Sequence, residues 1–400
     1  MATKHKHKLK APKVEPFKKV QISDLVALSE RASTMVADVK ESIMLPNSTK
    51  TAPDFSMAQL AALCGVDRGN LQYRLGTEGL PQGTVNDSGS RRYFTLKESI
   101  RCIQEFRADW LKPKTKPACV IAVANFKGGV AKTTTAMSLA QGLSLRGHRV
   151  LAIDCDAQGS LTALFGISGD TDVDEENTLH PIATGIESSI TPAIQKTYWE
   201  NVDLVAASPA LFNAEFILPA RQLKEPAFEF WNVLNYAIED ARQDYDVIII
   251  DTSPSLSYLT INAIMAADGL LMPLPPSGLD FASSAQFWSL VGDLTSNLVR
   301  TQGVEKTFDF LHVLLSRVDS SDASSVVVSS WIAATYKDKL LPVEIPKTAV
   351  TSSTAAEFGT VYDVMKYDGN HRTLKRARDA YDRVSDMIET SIRMFWAGQE

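Results

Sequence analysis

Asn125-Phe-Lys-Gly-Gly-Val-Ala-Lys-Thr-Thr-Thr135 is the stretch that decides the reading of this chain. Before it runs a short apolar segment with β-branched residues, Cys119-Val-Ile-Ala-Val-Ala124, and after it a helical segment from Ala136 to Arg146. Strand, glycine-rich turn and helix in that order put the turn at the carboxyl end of a strand, where parallel sheets bind ligands. Gly128 and Gly129 let the backbone turn tightly, so that successive N–H groups point at phosphate oxygens, and the helix adds its positive N-terminal end. Lys132 is placed to reach the β- and γ-phosphates of a nucleotide, and the Thr133 hydroxyl to ligate Mg²⁺. Phosphate loops usually carry a glycine just before the Lys-Ser/Thr pair. Ala131 stands there instead, so the strict pattern fails by one methyl group.

Outward from the loop, more short apolar runs alternate with helical stretches: Val150-Leu-Ala-Ile153, Val247-Ile-Ile-Ile250, Leu270-Leu-Met272 and Leu311-His-Val-Leu-Leu315. The expected fold class is α/β, a parallel sheet covered on both faces. Two strands end in acids. Asp154 and Asp156, two apart in Ile153-Asp-Cys-Asp-Ala-Gln158, share a face, so one can serve a metal shell while the other orients water. Val247-Ile-Ile-Ile-Asp251 is a buried strand ending in a carboxylate that reads as a Walker B acid, holding Mg²⁺ through water. Residues 168–190, with Asp170, Asp172, Asp174, Glu175 and Glu176, read as a solvated loop.

The lysine that opens the loop narrows the reading. Lys127-Gly-Gly-x-x-Lys-Thr-Thr134 resembles the deviant Walker A motif of the P-loop ATPases that include the partition ATPases ParA, the division regulator MinD and the nitrogenase iron protein. The resemblance covers roughly residues 119–398. It implies that ATP or ADP is held by Lys127, Gly128, Gly129, Val130, Ala131, Lys132, Thr133 and Thr134. It further implies that Lys127 crosses a homodimer interface to the phosphates of the other subunit, a second cation that phosphoryl transfer can use. Asp154-Cys-Asp-Ala-Gln158 resembles the family's Asp-x-Asp-Pro-Gln element. That places Asp156 as the water-orienting residue and Asp154 near the metal shell with Thr133 and Asp251. Lys127, Lys132 and Asp156 are the implied catalytic residues. Arg317 and Pro346 lie where the family contacts adenine.

The N-terminal part carries a different signal. Residues 1–19 hold seven lysines against Glu15 and read as a basic flexible tail. From 20 to 45, Ile22, Leu25, Leu28, Ala32, Met35, Val36, Val39 and Ile43 form one helical stripe, with Ser23 as the expected N-cap and Pro46 beyond the end. A lone amphipathic helix must bury its stripe, against its own domain or against the same helix of a second subunit. Residues 50–110 read as helix, glycine turn, helix and hairpin. The second helix presents Arg68, Asn70, Gln72 and Arg74, and the hairpin follows with Arg91 and Arg92. This resembles a winged helix-turn-helix of the MerR type, in which such side chains meet base edges and phosphates. Residues 111–118, broken by Pro113 and Pro117, form a linker to the ATPase domain at 118–400.

Together these segments resemble the larger, autoregulatory ParA of plasmids and secondary chromosomes. That resemblance implies a ParB-type partner that stimulates slow ATP hydrolysis, operator binding through the winged domain, and ATP-dependent nonspecific DNA binding through Arg372-Thr-Leu-Lys-Arg-Ala-Arg378, with Lys375 and Arg378 as candidates. It also implies a cytoplasmic, nucleoid-associated protein. The net charge of −6 excludes a uniformly basic DNA coat. No apolar run reaches the roughly 18 residues of a membrane helix. The C-terminal helix, with Asp379, Asp382, Asp386 and Glu389, is too acidic to lie on a membrane as MinD does. Cys64, Cys102, Cys119 and Cys155 are scattered, unlike the paired cysteines of the iron protein. The remaining alternative is a nucleotide-regulated repressor without a segregation role.

Overall fold

Contacts divide the chain into two units, residues 1–48 and residues 49–400. The computed structural model describes residues 19–44, 50–77, 79–86, 89, 91–303, 306–348, 359–364 and 371–398. Lys4, Lys6, Lys8, Lys10, Lys13 and Lys18 of the basic tail lie outside the described residues.

In the first unit, helix α1 (Ile22–Met44) follows the expected stripe, and Ile22, Leu25, Leu28, Met35 and Val36 are exposed on it. Ser23 is not the cap. The Gln21 N–H donates to the Asp24 carboxylate at 2.8 Å, so the stronger, charged acceptor fixes the first turn two residues earlier.

The second unit opens with β1 (Phe55–Ser56), α2 (Met57–Cys64), α3 (Arg68–Thr77), β2 (Thr84–Val85), β3 (Arg92–Phe94) and α4 (Leu96–Phe106). The local chemistry of this segment is explicit. Ser56 and Gln59 form a capping box at the start of α2, and Thr95 and Glu98 form another at α4. Gly65 ends α2 at φ +71°, a left-handed conformation that glycine adopts without strain. The three strands pair antiparallel in the order β1-β3-β2, so β2 and β3 make the hairpin. Leu60, Leu71, Leu75, Phe94, Cys102 and Ile103 close a small core beneath them. The helix–turn–helix–hairpin arrangement therefore forms as the residue pattern predicts.

Eight strands build the main sheet: β4 (Cys119–Val123), β5 (Val150–Asp154), β6 (Gln195–Lys196), β7 (Val202–Val205), β8 (Val247–Asp251), β9 (Gly269–Leu274), β10 (Phe310–Val318) and β11 (Leu340–Pro346). Their order is β11-β10-β9-β4-β8-β5-β7-β6, parallel throughout except for the antiparallel edge strand β6. β4, β5, β8 and β9 are buried along their whole length, as strands covered on both faces must be. The covering helices are α5 (Lys132–Ser144), α6 (Ser160–Leu164), α7 (His180–Thr184), α8 (Ala214–Lys224), α9 (Val233–Ala237), α10 (Ala241–Asp244), α11 (Tyr258–Ala266), α12 (Gly278–Gln302), α13 (Ala323–Tyr336) and α14 (His371–Gly398). α5 and α14 share one face with Phe55, Leu96 and Ile100 of the winged segment; α8, α9 and α11 cover the other. Each fully buried Leu or Ile contributes roughly 1.5–3 kcal/mol.

Two parts were not foreseen. Within the acidic stretch, Pro181, Ile182 and Ala183 are buried in the short helix α7, so only part of 168–190 is a solvated loop. Strand β6 is two polar residues and β7 four residues interrupted by Asp203, so neither reads as an apolar run. The apolar stripe of α14 (Val384, Ile388, Ile392) is buried in the core, which leaves only its other face outward. No described helix is long and apolar enough to cross a membrane.

Candidate functional site: a phosphate loop and its acid pair

β4 lies mid-sheet. The chain leaves it for β5 on one side, beyond β8, and later for β9 and β10 on the other. The loop after β4 therefore sits at a switch point, where the crossovers part and leave room for a ligand. Parallel pairing sets Val123 beside Asp251, and Asp251 beside Asp154, so both acids end their strands next to that loop.

The loop turns at two left-handed residues, Gly129 (φ +76°) and Ala131 (φ +73°, ψ +30°). The second explains why glycine is usual there. A Cβ in this region costs roughly 1 kcal/mol, and the surrounding contacts sustain it. Ala131 caps α5, and Lys132 begins it. Lys132 is buried, and its Nζ donates to the Lys127 carbonyl at 2.9 Å. Burial lowers its pKa, while Asp251 and Asp156 pull it back up. Asn125 ties the front of the loop to β9, donating to the Pro273 carbonyl at 2.9 Å.

Asp251 is fully buried, and apart from the nearby Thr133 hydroxyl no donor is placed to satisfy its two carboxylate oxygens. Burial pushes its pKa well up; the Asp154 charge adds to this, and nearby Thr133 and Lys132 oppose it. A buried acid with unmet oxygens beside a hydroxyl fits a divalent cation, which would satisfy both at once. Among the described residues there is no group of three or more acidic, His or Cys side chains able to hold a metal by themselves. A cation here would draw further oxygens from water and phosphate, as Mg²⁺ does. Asp154 is used differently from Asp251. One of its oxygens accepts from the Thr162 N–H (2.9 Å) and hydroxyl (2.8 Å), the other from the Asp156 N–H (3.1 Å). These bonds make Asp154 the anchor of the turn that carries Asp156. Its pKa is pushed up to about 6 by burial, against those bonds.

A cleft of about 650 Å³ opens beside the loop, lined by Gly128, Gly129, Ala131, Lys132, Thr133, Thr134 and Asp156 at one part. Ala163, Leu164, Ile345, Pro346 and Tyr381 give it an apolar part suited to a flat base. Pro346 lines this apolar part of the cleft. Arg317 lines the cleft too, but its guanidinium is committed to the phosphate loop: Nη1 donates to the Gly129 carbonyl at 2.5 Å. Lys127, at the rim, pairs with Asp280 Oδ1 at 2.9 Å. Val130 is buried, and its carbonyl accepts from Ser316 at 2.9 Å.

The comparisons with known proteins bear on this geometry. The AAA domain family matches residues 118–302. A chromosome partitioning protein ParA of Caulobacter vibrioides is 33% identical over 278 residues, 68% of this chain and 96% of its own. The chain belongs to the ParA family of partition ATPases. A candidate replication protein A of Rhizobium rhizogenes is 31% identical over 393 residues, 93% of this chain and 96% of its own, so the likeness reaches through the winged segment. Among solved structures, a cobyrinic acid a,c-diamide synthase of Mycobacterium smegmatis with bound ADP and magnesium is 28% identical, with a TM-score of 0.51 over 68% of this chain and 94% of that one. A partition protein has a TM-score of 0.64 at 19% identity over 94% of this chain and 99% of its own, and shares the fold.

The ParA-family chain has two further candidate surfaces. On α3, Arg68, Asn70, Gln72 and the unforeseen Tyr73 are exposed; on the hairpin, Arg91 is exposed and Arg92 half-buried. Arg74 differs from the expectation. It is half-buried, its guanidinium 3.9 Å from the centre of the Phe106 ring, because it lies one turn after the buried Leu71 and beside the buried Leu75. At the start of α14, Lys375 is exposed and lines a groove with Arg372, Arg376 and Arg383, and with the acids Asp379 and Asp382. Arg378 is half-buried over the Tyr362 ring at 5.3 Å and does not line that groove.

Reading the sequence missed Asp280, Ser316 and Tyr381. Asp280 had a signal, an acid in the first turn of α12 just after Pro275-Pro276. Ser316 and Tyr381 had none, because only the fold brings β10 and α14 to the cleft.

Proposed function

We propose that the cleft binds ATP with Mg²⁺ and hydrolyses it slowly, and that this cycle drives segregation of a plasmid or chromosome. The observation that carries the reading is the meeting of Lys132, Thr133, Asp156 and the fully buried Asp251 around one glycine loop with Lys127 at its rim. When bound, Mg²⁺ supplies charge neutralisation at the phosphates, with Thr133 and Asp251 as the residues to hold it, Asp251 through water. Asp156 orients the attacking water, held in place by Asp154. Lys132 meets the β- and γ-phosphates. Lys127 leaves Asp280 and reaches the phosphates of the second subunit in a homodimer, and the exposed stripe of α1 pairs with its copy.

In the ATP state, the basic groove of α14 (Arg372, Lys375, Arg376, Arg383) holds DNA through its phosphates, without sequence preference. A DNA-bound ParB-type partner stimulates hydrolysis and releases the protein. The winged domain at 50–110, joined to the ATPase domain at 118–400, binds its own operator through Arg68, Asn70, Gln72 and Arg91 and represses it. The protein acts in the cytoplasm on the nucleoid.

Binding to random-sequence DNA tests the cycle, measured without nucleotide, with ADP and with ATP–Mg²⁺, each at two salt concentrations. Tight, salt-sensitive binding only with ATP–Mg²⁺, lost in Lys375→Ala, is the expected result. DNA binding indifferent to nucleotide would instead favour a repressor without a segregation role.

A further inference from the structure

Arg317 holds an unusual backbone conformation, φ +54°, in the left-handed region that long side chains rarely enter. Such strain persists where neighbouring contacts over-determine it. Here the contacts are two consecutive side chains at the end of β10. Ser316 Oγ donates to the Val130 carbonyl at 2.9 Å, and Arg317 Nη1 donates to the Gly129 carbonyl at 2.5 Å. In a β-strand, successive side chains point to opposite faces. The left-handed turn at Arg317 breaks that alternation, so that neighbours can grip neighbouring carbonyls of one loop.

In a trans peptide, the C=O of one residue and the N–H of the next point in opposite directions. Fixing the Gly129 carbonyl fixes the Val130 N–H, and fixing the Val130 carbonyl fixes the Ala131 N–H. Both amides then face away from β10. We infer that Ser316 and Arg317 are positioning residues of the nucleotide site, which hold the Val130 and Ala131 amides aimed at the phosphates of the bound nucleotide. The inference rests on the nucleotide-binding reading above. It replaces an adenine contact as the role of Arg317. It also accounts for the absence of glycine at 131. A loop pinned from outside keeps its left-handed turn even with a Cβ in place. The bond from Arg317 is charge-assisted and so stronger than a neutral one.

Equilibrium binding in the presence of Mg²⁺ tests this, with ATP, GTP and inorganic tripolyphosphate as the three probes. Arg317→Ala is expected to weaken all three by a common factor of about tenfold, the loss of one charge-assisted bond. Ser316→Ala is expected to do the same by a smaller common factor, and Arg317→Lys to recover most of the affinity. Arg317→Gly keeps the left-handed backbone without strain, so it separates loss of the clamp from misfolding; it should bind like Arg317→Ala. A loss confined to ATP, with GTP and tripolyphosphate unchanged, would make Arg317 a base contact and overturn the inference. So would an Arg317→Gly chain that binds all three as the wild type does. A wild-type chain that binds none of them instead removes the nucleotide-site reading itself.

Discussion

Asp251→Asn should make the metal-free protein more stable while destroying its response to magnesium. Both Asp251 oxygens are buried with only the Thr133 hydroxyl near them, and the Asp154 carboxylate ends the neighbouring strand in register. A buried polar group left unmet costs about 1–3 kcal/mol, and more when charged. Asparagine keeps the shape and removes the charge but leaves a polar amide, so the variant recovers only the excess due to the charge, about 1 kcal/mol without metal. For domains of 150–250 residues, each kcal/mol moves the melting temperature by about 2–4 °C. The pH dependence has a definite sign. The folded pKa of this acid lies above its unfolded value near 3.9. The folded state therefore binds the extra proton, and stability falls as pH rises from the unfolded toward the folded pKa. Asp154, raised to about 6, acts in the same direction. The gain in Asp251→Asn is thus larger at pH 8 than at pH 5. Thermal melts at both values, with EDTA and then with ADP and Mg²⁺, provide the assay. Nucleotide at 100 times its Kd should add about 2.7 kcal/mol to the wild type, and magnesium should make no difference to the variant. A metal-free variant less stable than the wild type would refute the reasoning, as would one that keeps its magnesium response.

Three other outcomes follow from contacts elsewhere. Asp280→Asn removes the carboxylate that holds Lys127; sedimentation should show a larger ATP-dependent dimer fraction than in the wild type. Glu389 is buried and accepts from Arg107 (2.7 Å to each oxygen) and meets His148 Nε2 at 2.8 Å. Glu389→Gln should cost about 3 kcal/mol in urea melts at pH 7, as breaking a buried pair does. The Glu389 pKa is lowered overall by its bonds to His148 and Arg107, although burial works against them. Its contribution is therefore present above the unfolded value near 4.3 and is lost as pH falls below it. The two chains should converge in acid. At Gly142, an added Cβ would meet Ser385 Oγ at 2.2 Å and both Ser385 Cβ and Tyr362 Oη at 3.1 Å. Gly142→Ala should destabilise by about 1 kcal/mol, because overpacking of about 1–3 kcal/mol exceeds the helix gain of alanine.

The sheet was legible in the sequence because each central strand is buried on both faces and so reads as an unbroken apolar run. The phosphate loop was legible because its chemistry is local: Gly128, Gly129, Lys132 and Thr133 are close in sequence and act together. Strands β6 and β7 were not legible. β6 is only Gln195–Lys196, and β7 places Asp203 within an apolar strand, where Lys196 and Tyr245 hold its carboxylate. The limits at the site are of the same kind. Tyr381 reaches the cleft, and Asp280 and Ser316 the phosphate loop, from distant strands and helices, and no spacing rule connects them to Lys127 or Gly129. Charge alone also does not show that Arg74 and Arg378 lie half-buried over rings. Each has a long apolar stem and a flat guanidinium, which can lie on an aromatic ring as readily as face DNA.

Helices α5 and α14 together connect the three proposed activities. α5 begins at Lys132 in the phosphate loop and ends beside Arg146 and His148, which bind Asp386 and Glu389 of α14. At Gly142 the two helices come too close to slide apart without cost. α14 starts with the basic turn, contributes Tyr381 to the cleft, and through Glu389 grips Arg107 at the end of α4 in the winged segment. Arg107 and Arg393 also stack on Trp110 from α4 and α14. Contiguity of this kind does not by itself prove coupling. It does say where coupling can be cut. Because the interior is close-packed, a shift at the loop end of α5 is carried along the helix rather than absorbed. The ion pairs at the far end, made by long side chains, are the joint that can yield. A chain carrying Arg107→Lys keeps a charge but, with a shorter stem and no flat guanidinium, loses the reach of Nη2 to both Glu389 oxygens and the stacking on Trp110. It should bind nucleotide and random DNA as the wild type does, yet lose the dependence of operator binding on nucleotide. If operator binding in that chain still follows the nucleotide, the signal passes by another route, and Glu389 serves only to hold the fold together.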